Sequence, residues 1–264
     1  MKGIEKLRSL FKEKKEPLLS IFFTAGFPSL ESTKEVYLSL KESGAHFVEI
    51  GFPFSDPIAD GSTIQQSSER AIKNGMNLEV LFGQLREIKD QMTMPVILMG
   101  YLNPVLRYGK ERFLDACEEI GVSGLILPDL PMYEYLSEWK ESLDEKGISL
   151  VFLVTPQTTE ERIRQIDEIS SSFIYAVSSQ AVTGGSSSEE SSHVQEAYFK
   201  KLADLKLNTP IVVGFGIHDK ASFDSATKYL DGAIIGSAFL RMIEDSRDLD
   251  SHIKSFVKVV KAVS

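Results

Sequence analysis

The chain has 264 residues, 42% of them hydrophobic and 25% charged, which describes an ordinary globule and excludes a disordered chain or a fibre. Lysine and arginine total 29 against 38 acidic residues, a formal charge of −9, so a broad cationic face for nucleic acid is excluded while a local anion site is not. A single cysteine, Cys117, rules out an internal disulfide and a cysteine-rich metal cluster, and no apolar run is long enough for a membrane helix.

In chain order, residues 4–15 predict a short helix, since Ile4, Leu7, Leu10 and Phe11 recur at helical spacing and Pro17 closes it. This opening segment is charged and lacks the apolar centre of a secretory signal, so a cytoplasmic location is expected. An alternation then starts that persists to the end. Short apolar runs at 18–23, 46–50, 95–99, 124–127, 149–154, 173–177, 210–213 and 232–235 predict strands. Several lack polar alternation, as expected of parallel strands covered on both faces. Amphipathic stretches at 31–42, 62–90, 108–120, 132–146, 159–169, 190–206, 219–229 and 248–262 predict helices. Eight strand–helix pairs suit an α/β fold of one closed (β/α)8 barrel with an extra N-terminal helix, in a single domain over 1–264. An open doubly wound sheet would more often carry a glycine fingerprint after its first strand, where this chain has TAGFPS.

The polar residues at the predicted strand ends carry the chemistry. In FVEIGFPFSDPIADGST (47–63), strand parity puts Phe47, Glu49 and Gly51 on one side and Val48 and Ile50 on the other. If the bulky pair faces the helices, Glu49 points into the barrel, where burial raises its pKa and suits it to proton transfer. The alternative is a structural glutamate satisfied by backbone amides or a lysine. Asp56 and Asp60 follow in the loop. Asp60 either faces Glu49 across the barrel mouth or merely caps a helix that starts near Ser62.

Two further joints, VVGFGIH (212–218) and AIIGSAF (233–239), run from strand ends into glycines. They occupy the place of strands 7 and 8, where barrels hold phosphate. Gly214, Gly216 and Gly236 would let a ligand approach the backbone, and Ser237 adds a hydroxyl and an amide. After strand 6, Tyr175 precedes the small-residue loop that contains Thr183, Gly184 and Gly185, which would either close over a substrate or form a surface connection. Phe22 and Phe215 stand near strand ends where a flat apolar ligand would fit. The four histidines show no metal-ligand spacing, and Cys117 in FLDACEEI reads as a small core residue, so a metal-free reaction is favoured.

Over nearly its full length the chain resembles the tryptophan synthase alpha subunits of bacteria. VEIGFPFSDPIADG (48–61) is the most specific segment, and FFTAGFP (22–28), GYLNPVLRYG (100–109), LILPDLP (125–131), VTGG (182–185), GFGI (214–217) and IIGSA (234–238) follow the family's order. The resemblance implies a (β/α)8 barrel that cleaves indole-3-glycerol phosphate to indole and glyceraldehyde 3-phosphate in tryptophan biosynthesis. It implies Glu49 as acid/base and Asp60 as the acceptor of the indole N–H. Phe22, Met99, Tyr101, Leu127, Tyr175, Thr183 and Phe215 would shape the substrate pocket, and Gly184, Gly216, Gly236 and Ser237 would contact phosphate. It implies no cofactor in this subunit and a pyridoxal-phosphate-dependent beta partner in an αββα assembly, met through 53–60, 101–108 and 129–135. The chain departs from the pattern at Ala181, where many members carry glycine before VTG. A phosphate-binding isomerase or epimerase, or a weakly catalytic barrel that serves mainly to activate its partner, are the other readings of the same residues.

Overall fold

The computed structural model describes residues 2–56, 60–177, 189–214 and 216–261. Its strands are β1 (Leu18–Thr24), β2 (Phe47–Gly51), β3 (Val96–Met99), β4 (Gly124–Ile126), β5 (Ser149–Leu150), β6 (Phe152–Val154), β7 (Ile174–Val177), β8 (Ile211–Gly214) and β9 (Gly232–Ile235). All the pairings are parallel, in the order β5-β4-β3-β2-β1-β9-β8-β7-β6. The two ends of that order, β5 and β6, are halves of the single apolar run at 149–154, interrupted only at Val151. The Val151 N–H donates to the Leu125 carbonyl at 2.9 Å, which continues the ladder across the break. The sheet therefore closes on itself as the expected eight-run barrel, with its strand residues buried on both faces except the half-buried Leu153.

The barrel's far end is sealed by the N-terminal helix, Gly3–Glu13, whose Ile4, Leu7 and Phe11 are buried. The Phe11 ring lies 6.3 Å from Phe47 and 5.6 Å from Phe173, and those two rings are 5.6 Å apart. Phe47 begins β2 and Phe173 immediately precedes β7, strands on opposite sides of the barrel. Rings that meet across that gap must point inward. Phe47 therefore fixes the inward parity of β2, and the alternation carries Glu49 and Gly51 to the same interior side. Lys14 pairs with Asp231, whose other carboxylate oxygen accepts the Ile211 N–H at 2.8 Å, fastening the helix exit to the starts of β8 and β9.

Three local features differ from the periodicity. The stretch 62–90 is two helices, Ser62–Lys73 and Leu78–Glu87, with a short 3-10 turn at Lys89–Gln91. Gly75 has φ +97°, a conformation that ends the first helix, and the Asn77 side chain caps the second by accepting the Val80 N–H at 3.1 Å. A short helix, Leu102–Tyr108, precedes Lys110–Ile120. Its seven residues are too few to show periodicity, and its first N–H finds a partner far along the chain, in the Asp129 carboxylate at 2.9 and 3.0 Å. After β9 the chain forms Ser237–Ile243 before the expected terminal helix, Leu249–Lys261. Among the described residues no helix is long and apolar enough to cross a membrane.

Candidate active site

Glu49 stands level with Phe22 of β1 and Ile97 of β3. It is 0% exposed, and neither carboxyl oxygen has a hydrogen-bond partner among the described residues. A structural glutamate would show its amides or its lysine here; among the described residues there is none. Burial without compensation pushes its pKa up to about 8. Near neutral pH this carboxyl therefore holds a proton it can give away, and its conjugate base is strong enough to take one back.

Asp60 is not the helix cap. Gly61 occupies the N-cap of Ser62–Lys73 and makes no side-chain bond there. The Asp60 carboxylate instead accepts a hydrogen bond from the Tyr101 hydroxyl at 3.4 Å, and its main-chain carbonyl is held by the Gln65 amide at 2.9 Å. Phe54 packs on Tyr101 with ring centres 5.3 Å apart, which steadies the phenol. Partial burial raises the Asp60 pKa to about 6, against the lowering effect of the Tyr101 hydroxyl. Tyr175 lies in the field of both acids. Its ionisation is pushed well up, first by burial and then by the charges of Glu49 and Asp60.

Beside these groups lies a cavity of about 200 Å³. Phe22, Met99 and Tyr175 form its apolar wall, and Gly216, Gly236 and Ser237 form its small-residue wall. A smaller one of about 20 Å³, lined by Asp60 and Tyr101, shares Phe22, Ile64 and Met99 with it. Glu49 lines neither, being buried among the strands. The three glycines of the sequence reading separate here. Gly214 makes room for protein, because a Cβ there would lie 1.7 Å from the Tyr175 hydroxyl. Gly216 has φ +74°, which itself favours glycine. At Gly236 a Cβ would meet only the Phe22 ring at an ordinary 3.4–3.7 Å, so the protein's own packing does not demand the bare backbone facing the cavity.

Leu127 is buried but is not brought to this cavity. It lines another, of about 280 Å³, with Pro128, Leu153 and Arg162. Thr183, Gly184 and Phe215 lie outside the described residues, as does Ala181. The structure adds residues that the sequence reading passed over: Ile64 between the two cavities, Phe54 on Tyr101, and His218 and Arg241 on the larger cavity. Arg241 was within reach of sequence reasoning, since it follows Ser237 by four residues, one helical turn. Cys117 is buried and free, its thiol pushed well up by burial, which makes it a core residue and a poor nucleophile. Among the described residues no three His, Cys, Asp or Glu side chains cluster so as to hold a metal ion.

Two carboxyls with upward-shifted pKa values thus stand near one another, Glu49 buried among the strands and Asp60 on the small cavity that adjoins the larger one. Residues 9–263 match the family model described as tryptophan synthase alpha chain. The tryptophan synthase alpha chain of Christiangramia forsetii is 50% identical over 249 residues, covering 94% of this chain and 95% of that relative. That of Parabacteroides distasonis is 43% identical, covering 98% and 100%. Among solved structures, the tryptophan synthase subunit alpha of Legionella pneumophila superposes with a TM-score of 0.86 at 30% identity, covering 98% of this chain and 97% of that one. A chain of the tryptophan synthase complex from Pyrococcus furiosus gives 0.80 at 34% identity, covering 94% and 98%. With its barrel, its carboxyl pair and a match across almost the whole sequence, this chain belongs to the tryptophan synthase alpha chain family.

Proposed function

We propose that Glu49 and Asp60 together drive the retro-aldol cleavage of indole-3-glycerol phosphate to indole and glyceraldehyde 3-phosphate. The observation that carries the assignment is the buried, unpartnered Glu49 carboxyl, poised by burial to hold a proton at neutral pH. The indole ring takes the slot between Phe22, Met99 and Tyr175, and the phosphate lies against the backbone of Gly216, Gly236 and Ser237. Glu49 gives its proton to indole C3, and positive charge develops at N1, where the Asp60 carboxylate accepts the N–H and stabilises it. The Glu49 carboxylate then takes the proton of the side-chain hydroxyl next to the scissile bond. As that oxygen becomes an aldehyde, the C3–carbon bond breaks and its electron pair returns to the ring. One proton has moved from oxygen to carbon, and Glu49 is restored. Holding the phosphate far from the reacting bond turns remote binding energy into orientation.

Thr183 and Gly184 complete the reading as parts of a loop over the substrate, and Phe215 as a further wall. The chain works in the cytoplasm without a cofactor of its own and docks on a pyridoxal-phosphate-dependent beta subunit that consumes the indole. The solved tryptophan synthase complex that contains a similar chain supports such a partner. The test is an indole-release assay with the full chain, alone and with its beta subunit. Release of indole from indole-3-glycerol phosphate, faster with the partner, is expected; no release in either case would sink the reading.

A further inference from the structure

The larger cavity has one permanently charged side chain on its wall. Of the described residues that line it, Arg241 is the sole lysine or arginine. It projects from Ser237–Ile243 one turn beyond Ser237, so that it shares that residue's side of the helix. No carboxylate lies within ion-pair distance of it among the described residues, unlike the surface arginines Arg86 and Arg112, which pair with Glu119 and Glu79. Its guanidinium has a different tether, donating to the Thr63 hydroxyl at 3.2 Å. Thr63 lies in the first turn of Ser62–Lys73, between Asp60 and the cavity residue Ile64. An arginine left without an acid, held at the rim of a cavity in a chain of net charge −9, is a local positive site in an acidic molecule.

We infer that Arg241 is a specificity-determining residue that selects the phosphorylated substrate by charge, acting at the rim of the cavity whose small-residue wall receives the phosphate. The inference rests on the seat assigned to the phosphate in the preceding section. Neutral backbone amides there can hydrogen-bond an anion, but they discriminate a dianion from a neutral hydroxyl less sharply than a guanidinium does. Arg241 supplies that discrimination, and its bond to Thr63 holds the exposed side chain beside the cavity, lowering the ordering cost on binding.

The test uses the full chain and its R241Q and R241K variants, with glycerol 3-phosphate and indole as separate calorimetric probes and indole-3-glycerol phosphate as substrate. R241Q is expected to weaken glycerol 3-phosphate binding roughly five- to tenfold, a charge-assisted hydrogen bond's worth at a partly exposed site. KM should rise by a similar factor, more than kcat falls, while indole affinity stays within about twofold. R241K should recover most of the loss, and glycerol 3-phosphate binding by the unmodified chain should weaken with salt more steeply than binding by R241Q. Equal Kd and KM in R241Q and the unmodified chain would overturn the inference while leaving the cleavage assignment standing. A parallel loss of indole affinity, or no recovery in R241K, would mark a structural role and overturn it too. If the unmodified chain neither binds glycerol 3-phosphate nor releases indole, the functional reading itself fails and this inference falls with it.

Discussion

At the scale of single residues, the two carboxyls make opposite demands on pH. In the proposed cleavage Glu49 acts from its protonated form and Asp60 from its ionised form. With pKa values of about 8 and about 6, kcat/KM should fall above the first and below the second. Asp60→Asn has no carboxyl to titrate, so its residual activity should lose the acidic limb, with a rate lower by roughly 100-fold or more and glycerol 3-phosphate affinity little changed. A pH–rate series on both proteins checks this; an acidic limb that survives in D60N belongs to another group. Glu49→Gln should fold and lose nearly all turnover. It should also be the more stable protein in alkali. The folded chain keeps on Glu49 a proton that the unfolded chain releases, so stability falls as pH rises from the ordinary 4.5 through about 8. Glutamine cannot ionise, and E49Q should lead by a few kcal/mol at about pH 9 and by little at about pH 4 in urea unfolding. A lead that did not grow with pH would mean the carboxyl is not paying for burial.

At the scale of elements, the site depends on how β7 and β8 are fitted together. Gly214 closes β8 opposite Val177, and the missing side chain leaves room for the Tyr175 hydroxyl. Gly214→Ala must displace the ring or the strand, since a Cβ would fall within 1.7–2.7 Å of three Tyr175 atoms. The expected cost is about 1–3 kcal/mol in stability, together with at least a tenfold loss of turnover because Tyr175 walls the proposed indole slot. Unfolding curves and indole release measured on one preparation separate the two effects. The sequence put a glycine here for a ligand; the fold uses it for a tyrosine. In the same way Asp60 read as a plausible cap until Gly61 was seen to hold that position and Tyr101, about forty residues on, was seen to bond its carboxylate. Periodicity also ran 62–90 together as one helix. The positive φ at Gly75 that divides it is also supported from outside, by the Asn74 amide bonded to the Gly26 and Pro28 carbonyls.

At the scale of the whole molecule, the barrel has a working end and a sealed end. Phe11, Phe47 and Phe173 fill the sealed end, a layer below Glu49 and Tyr175. Phe11→Ala should therefore cost about 3–5 kcal/mol as a core truncation while kcat of the folded protein stays within about twofold. Thermal melts and turnover below the transition check the separation; a large fall in kcat would show that the plug also sets the geometry above it.

What the sequence determined by itself was the alternation of short apolar runs and amphipathic stretches, the shared side of Phe47, Glu49 and Gly51, and the glycine-rich ends of the last strands. Those are local properties, set by side-chain alternation and backbone sterics over a few residues. Only the tertiary structure decided that Glu49 has no partner among the described residues, that Asp60 answers to Tyr101, that Leu127 borders a different cavity, and that Arg241 is tied to Thr63 beside the proposed phosphate seat. Burial and pairing depend on which distant strands and helices closure of the barrel brings together, and distances of that kind are not encoded in the spacing of residues along the chain.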